Sequence, residues 1–128
     1  MKFYTGVGSR NAPKEILLLM TEIATILEKK GWTLRSGAAD GPDLAFENGV
    51  QKRKEIFLPW RGYNNSTSTN YIISDKAYDL VSSFEDNWKY LKEGHKKILA
   101  YNVHQVLGTI FNLANKDSLE RVKSLLVA

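Results

Sequence analysis

The sequence predicts an α/β protein: one domain over residues 1–128, with a mainly parallel sheet of about four strands and helices on both faces. Three observations lead there. Short β-rich runs alternate with amphipathic helical segments through the first 60 residues. The first two runs each end in a glycine turn that opens a helix. At 128 residues the chain has room for one core, and a second independent core is not expected.

Lys2–Thr5 (KFYT) is the first strand, ending in Gly6-Val7-Gly8-Ser9-Arg10. Pro13 suits the first turn of a helix, where its missing N–H is no loss. Ile16, Leu19, Met20, Ile23 and Leu27 then recur at helical spacing, and Lys29, Lys30 and Gly31 close that helix. Trp32–Arg35 is the second strand, followed by the turn Ser36–Asp43 and a helix from about Asp43 to Lys52 carrying Leu44, Ala45 and Val50. Glu55–Trp60 (EIFLPW) reads as a third strand, broken by Pro59 and Gly62, and right-handed crossovers are expected. Tyr63–Asn70 reads as a polar loop without packing residues. Ser74 to about Phe84 and Trp88 to about Leu107 are expected helices, the second with Trp88, Leu91, Ile98, Leu99 and Val103 inward. Thr109–Leu113 is an expected fourth strand, and Lys116–Leu126 a closing helix.

Composition removes several classes of function. Hydrophobic residues make up 43% and charged residues 25%, values of a globular chain rather than a disordered one. No apolar run reaches the roughly 20 residues that span a bilayer. MKFYTGVGSR carries one lysine and a very short apolar stretch, so no signal peptide is expected and the expected location is cytoplasmic. Zero cysteines exclude disulfides, thiolate zinc sites and cysteine nucleophiles. The net charge of +4 permits a polyanionic partner without the density of a dedicated nucleic-acid binder. Two basic clusters stand out, Lys52–Lys54 with Arg61, and Lys89, Lys92, Lys96 and Lys97; a solvated helix face accounts for the second.

In an open parallel sheet, ligands bind beyond the carboxyl ends of the strands. Gly6 and Gly8 are expected to let a ligand approach the backbone, with amides of Ser9–Asn11 and the Arg10 guanidinium favouring phosphate. Asn11 stands where the third glycine of G-x-G-x-x-G belongs, so this is no standard dinucleotide fingerprint. In the second turn, Ser36-Gly37 and Gly41-Pro42 bracket Asp40, and Asp43 follows. Each aspartate either caps the helix or accepts from a ribose hydroxyl or base amine. Glu47, one helical turn beyond Asp43, is either a surface charge or a cleft residue. Trp60 and Tyr63 either stack a base or roof the core. His95 and His104 read as a surface and a packing histidine rather than metal ligands, and no G-x-S-x-G elbow is present. No metal or cofactor is expected.

The turns T-G-V-G-S-R (Thr5–Arg10) and R-S-G-A-A-D-G-P-D-L-A-F-E (Arg35–Glu47), followed by I-F-L-P-W (Ile56–Trp60), resemble the Rossmann-like domain of the DNA-processing/recombination-mediator A family. That family belongs to the wider SLOG group, with the LOG "lysine-decarboxylase-like" proteins. The pattern S-G-x-A-x-G-x-D-x-A falls on Ser36, Gly37, Ala39, Gly41, Asp43 and Ala45, and the likeness covers about the first half of the chain. It implies a Rossmann-like nucleotide-binding domain whose phosphate- and ribose-binding cleft is lined by Gly8, Ser9, Arg10, Ser36, Gly37, Gly41 and Asp43. Three departures accompany it. Asp40 stands where DNA-loading members carry a basic residue, Ala38 stands where glycine is common, and no G-G-T-type turn follows Gly108. The chain resembles a version shortened in its C-terminal half.

The leading expectation is therefore a binding protein, not an enzyme, for a nucleotide or nucleotide-derived small molecule at Gly6, Gly8, Ser9, Arg10, Ser36, Gly37, Ala38, Asp40, Gly41, Asp43, Glu47 and Trp60. The alternatives are a single-stranded DNA-binding recombination mediator, an N-glycosidic or phosphoribosyl hydrolase, and a pure interaction module. Exposed sheet edges make a homodimer an expectation.

Overall fold

The computed structural model describes residues 2–108. Three parallel strands form an open sheet in the order β1-β2-β3: β1 (Lys2–Thr5), β2 (Trp32–Ser36) and β3 (Lys54–Ile56). Four α-helices accompany them: α1 (Lys14–Lys29), α2 (Pro42–Asn48), α3 (Asp75–Phe84) and α4 (Glu93–Leu107). The expected strand Thr109–Leu113 and helix Lys116–Leu126 lie outside the described residues.

The register decides which side chain faces which layer. Tyr4 pairs with Leu34 and Leu34 with Lys54, while Thr5, Arg35 and Glu55 align one residue later. Alternation then sends Tyr4, Leu34 and Ile56 to one face, where Ala24 of α1, Phe46 of α2 and Val50 close a core around the fully buried Leu34. The opposite parity meets α4: Phe57 stacks on His104 at 5.7 Å, and the Thr5 hydroxyl donates to the Gln105 carbonyl at 2.8 Å. Helices thus cover both faces. Both crossover helices, α1 and α2, share one face, as successive crossovers of one hand in one direction require.

α1 and α2 approach closely because small residues and threonines line their contact. The Thr21 hydroxyl donates to the Ala45 carbonyl at 2.7 Å and Thr25 to the Gly49 carbonyl at 3.0 Å. Gly49 also ends α2 three residues before the expected Lys52. Beyond it, the Glu28 carboxylate accepts N–H bonds from Gln51, Lys52 and Arg53. Those bonds hold it below the usual carboxylate range and steer the chain into β3.

Three further elements differ from expectation. Regular pairing of β3 stops at Ile56, and the rest of EIFLPW turns to the returning loop: Phe57 bridges Asn70, and the Leu58 N–H donates to the Asn70 carbonyl at 2.8 Å. Tyr63–Asn70 is accordingly not a loop without packing. Tyr63 packs on the core, and the Ser68 hydroxyl donates to the Ile56 carbonyl. The helix expected from Trp88 is a short 3-10 turn, Trp88–Tyr90, with extended Leu91 and Lys92 before α4. There the Trp88 ring sits edge-on to Tyr78 of α3 at 6.3 Å, a contact that joins the turn to the α3–α4 core. At the start of α3, Ser74 caps the helix by accepting from the Ala77 N–H.

Gly49 and Gly94 make a controlled comparison. A Cβ at Gly49 would lie 2.2 Å from the Thr21 carbonyl oxygen, whereas one at Gly94 meets nothing within 4 Å. Gly49→Ala is expected to lower unfolding free energy by about 1–3 kcal/mol through overpacking. Gly94→Ala is expected to be neutral or to raise it by up to about 1 kcal/mol. Urea titration of both variants checks the pair.

Candidate functional site

β1 and β2 end side by side, so the turns that follow them meet. The Gly6 N–H donates to the Arg35 carbonyl at 2.9 Å, and the Ser36 hydroxyl donates to the Gly6 carbonyl. A Cβ at Gly8 would be 3.0 Å from Pro42, and one at Gly41 would be 3.6 Å from the Arg10 backbone. Gly41 has φ +90, which only glycine adopts without strain. The two turns therefore share a cleft beyond the carboxyl ends of the strands, where open parallel sheets bind ligands.

Within that cleft the expected residues divide into structural and accessible groups. Gly6, Ser36 and Gly37 are buried. Gly6 is a packing glycine, since a Cβ there would meet Leu34 and Phe46 at 2.7 Å. Its N–H and carbonyl both belong to the sheet end, so it does not serve close ligand approach as expected. Gly37 lies under Asp43, Gln105 and Tyr101, each within 2.9 Å of where its Cβ would be. The accessible group is Gly8, Ser9 and Arg10, all exposed. The Ser9 hydroxyl accepts the Asn11 N–H at 3.2 Å and its carbonyl accepts from Ala12, which shapes the turn into α1.

Asp43 is 7% exposed and occupies the second position of α2. Its carboxylate does not cap the helix but reaches back, accepting the Ala39 N–H at 3.4 Å beside Gly37 and Ser36. Burial pushes its pKa up to about 6, against the opposing pull of the Ala39 and Gly37 amides, the Ser36 hydroxyl and the Arg10 cation. Negative charge thus already faces the amides of the second turn, and the accessible positive end of the cleft is at Gly8–Arg10. Above them, burial and then the Asp43 charge push the Tyr101 phenol up, while Arg10 opposes both.

Asp40 is exposed and accepts from the Asn64 amide at 2.9 Å; the same amide donates to the Ala38 carbonyl at 2.6 Å. Asn64 thereby ties the second turn to the rim of a cavity of about 510 Å³. Ala38, Leu44, Glu47 and Lys54 line one side of it, and the amides and hydroxyls of Asn64–Asn70 line the other. Glu47 is a wall residue, paired with Lys54 at 2.9 Å. Trp60 is 40% exposed and edge-on to Tyr63 at 5.2 Å, with Tyr63 in turn 6.4 Å from Tyr101. Tyr63 roofs the core, and Trp60 stands at its rim.

Asn64, Lys54, Tyr101 and Gln105 were not among the expected site residues. Asn64 and Asn65 both adopt positive φ, and the Asn-Asn pair was the available sign of it. Tyr101 and Gln105 share one α4 face by their spacing, but nothing local shows that this face meets Gly37. His104 accepts the Ser74 N–H through Nε2 at 3.2 Å, with its Nδ1 2.9 Å from the Gly108 carbonyl oxygen. Burial lowers its pKa, and it packs in the core. Among the described residues, no group of three or more histidines and carboxylates is placed to hold a metal ion. Among the same residues, no helix is long and apolar enough to cross a membrane.

No family model matches the chain, and no curated protein or solved structure is found similar to it.

The raised pKa of Asp43 has a defined sign in stability. The folded chain holds this proton more tightly than the unfolded chain. Below about pH 4 both states are protonated and nothing is lost. Between pH 4 and about 6 the unfolded state releases its proton first, so stability falls as pH rises and then levels off. The loss from this group is roughly 2–3 kcal/mol. Asp43→Asn is expected to remove that component, so the wild-type-minus-variant difference in urea-unfolding free energy should decline from pH 4 to pH 7. A flat difference would show the carboxyl titrating normally.

Proposed function

We propose that this chain is a binding protein for a nucleotide or nucleotide-derived small molecule, on a Rossmann-like fold resembling the DNA-processing A and SLOG domains. The observation that carries the reading is the apposition of the two glycine turns beyond β1 and β2, with exposed Gly8, Ser9 and Arg10 forming its cationic end. A phosphate would sit at Gly8–Arg10, clamped by the guanidinium, because Asp43 occupies the amide end of the second turn.

The cavity behind Asn64 supports the uncharged part of such a ligand. Its volume lies within the range of small-molecule sites, and its asparagine, serine and threonine wall offers donors and acceptors for ribose hydroxyls and base edges. Glu47 lines this cavity and Asp40 is bonded to its rim residue Asn64, which favours hydroxyl and amine donors over a second phosphate. The reading is of binding without turnover: Asp43 is buried against its own turn, and Glu47 is engaged by Lys54.

A thermal-shift panel of nucleosides and their mono-, di- and cyclic phosphates tests this, followed by calorimetry. At least one phosphorylated compound should raise the melting temperature, while its nucleoside binds more weakly. Arg10→Ala should weaken the phosphorylated ligand roughly 10- to 100-fold, the worth of a charge-assisted hydrogen bond, and leave the nucleoside unchanged. Absence of any shift across the panel overturns the proposal.

A further inference from the structure

α1 carries an apolar seam on its outer side. Ile16, Leu19, Ile23 and Ile26 follow the alternating three- and four-residue spacing of a coiled-coil seam, and their exposures are 42%, 48%, 40% and 52%. Scattered exposed leucines need no explanation, but four large aliphatic side chains in one line from Ile16 to Ile26 form a contiguous patch. The inner side of the same helix is already satisfied, with Ala24 fully buried and Thr21 and Thr25 bonded to α2 and the chain just after it. The seam is therefore surplus to the core of the described residues.

Its symmetry points to the occupant. Ile16 and Ile26 are equidistant from the seam centre, as are Leu19 and Ile23, so the pattern reads the same when the helix is reversed. Glu15, Glu22 and Lys29, all exposed, recur at seven-residue spacing along one flank. When two such helices run antiparallel, Lys29 at one end lies against the partner's Glu15, and the match repeats at the other end. A parallel two-fold pairing would put this flank on opposite sides of the interface, so Glu15 and Lys29 would not meet; in the antiparallel pair Glu22 lies near the axis beside its own copy. We infer that α1 is the contact of a two-fold symmetric homodimer, in which α1 packs antiparallel on α1 of a second copy through Ile16, Leu19, Ile23 and Ile26, with Glu15–Lys29 pairs at both ends. Interdigitated seams of this kind cross at about 20°. A helix of this length is about 24 Å long, so the interface is small and the affinity should be micromolar.

Sedimentation velocity of the full chain from 1 to 200 µM tests this. A concentration-dependent species of twice the 14.5 kDa protomer mass is expected. Ile23→Asp should raise the dissociation constant at least tenfold while leaving the melting temperature of the monomer near that of wild type, because the side chain is exposed in the protomer. Glu15→Lys alone should weaken the dimer about fivefold, and Glu15→Lys with Lys29→Glu should restore it. The charge swap leaves the apolar seam intact, so it tests the pairing even if Ile23→Asp does not fold. Wild type that stays monomeric at 200 µM overturns the inference. So does a dimer indifferent to both Ile23→Asp and Glu15→Lys. A monomer that loses stability on Ile23→Asp also overturns it, and assigns the seam to another segment of the same chain.

Discussion

The structure depends on how the chain leaves β2. Within two residues, the Arg35 carbonyl accepts from Gly6, the Ser36 hydroxyl donates back to Gly6, and the Ser36 carbonyl accepts from Phe57. These bonds hold the carboxyl ends of all three strands at one level. With the ends level, the turns after β1 and β2 must meet: Gly8 lies so close to Pro42 that a Cβ would crowd it, and Gly41, required by its positive φ, lies beside the Arg10 backbone. The cleft follows from sheet register, not from any one loop.

Charge within the cleft is arranged by the same geometry. Asp43 cannot reach solvent at the start of α2, so it turns back to the Ala39 amide and raises the proton affinity of its own carboxyl. A negative group already present at one end leaves the other end, with Arg10, as the place where an anion gains most. A buried carboxylate held this way rigidifies the second turn, but it leaves little of that turn's amide dipole for a ligand. Asn64 then joins the turn to the polar cavity wall, because a left-handed asparagine can direct its amide at both Ala38 and Asp40.

Several predicted features depend on signals local in the chain, and these are the ones the structure bears out. The parallel β–α alternation, the two glycine turns, the Gly31 stop and Ser74 at the head of α3 all rest on spacing or a single residue's conformational preference. The failures share a different cause. β3 is shorter than EIFLPW because Phe57 and Leu58 pair with Asn70, a residue more than ten positions on. Trp88 leaves the helical pattern because Tyr78 of α3 draws it aside. Gly6 and Gly37 carry the same glycine signature as Gly8 and Gly41, yet they are needed for packing against Leu34, Phe46, Tyr101 and Gln105.

The amino-acid order alone determined the kind of architecture and the positions along the chain where a ligand-accepting turn can form. Periodicity and glycine preference act within a few residues, and neither needs a partner from elsewhere. Which glycines face a cleft, which carboxylate is buried, and which face of α1 the described residues leave exposed were decided only in three dimensions. Those properties depend on what arrives from distant segments: Tyr101 and Gln105 over Gly37, Asn64 over Asp40, α2 against one side of α1 and not the other. Burial is a property of neighbours, and the chain order does not name them.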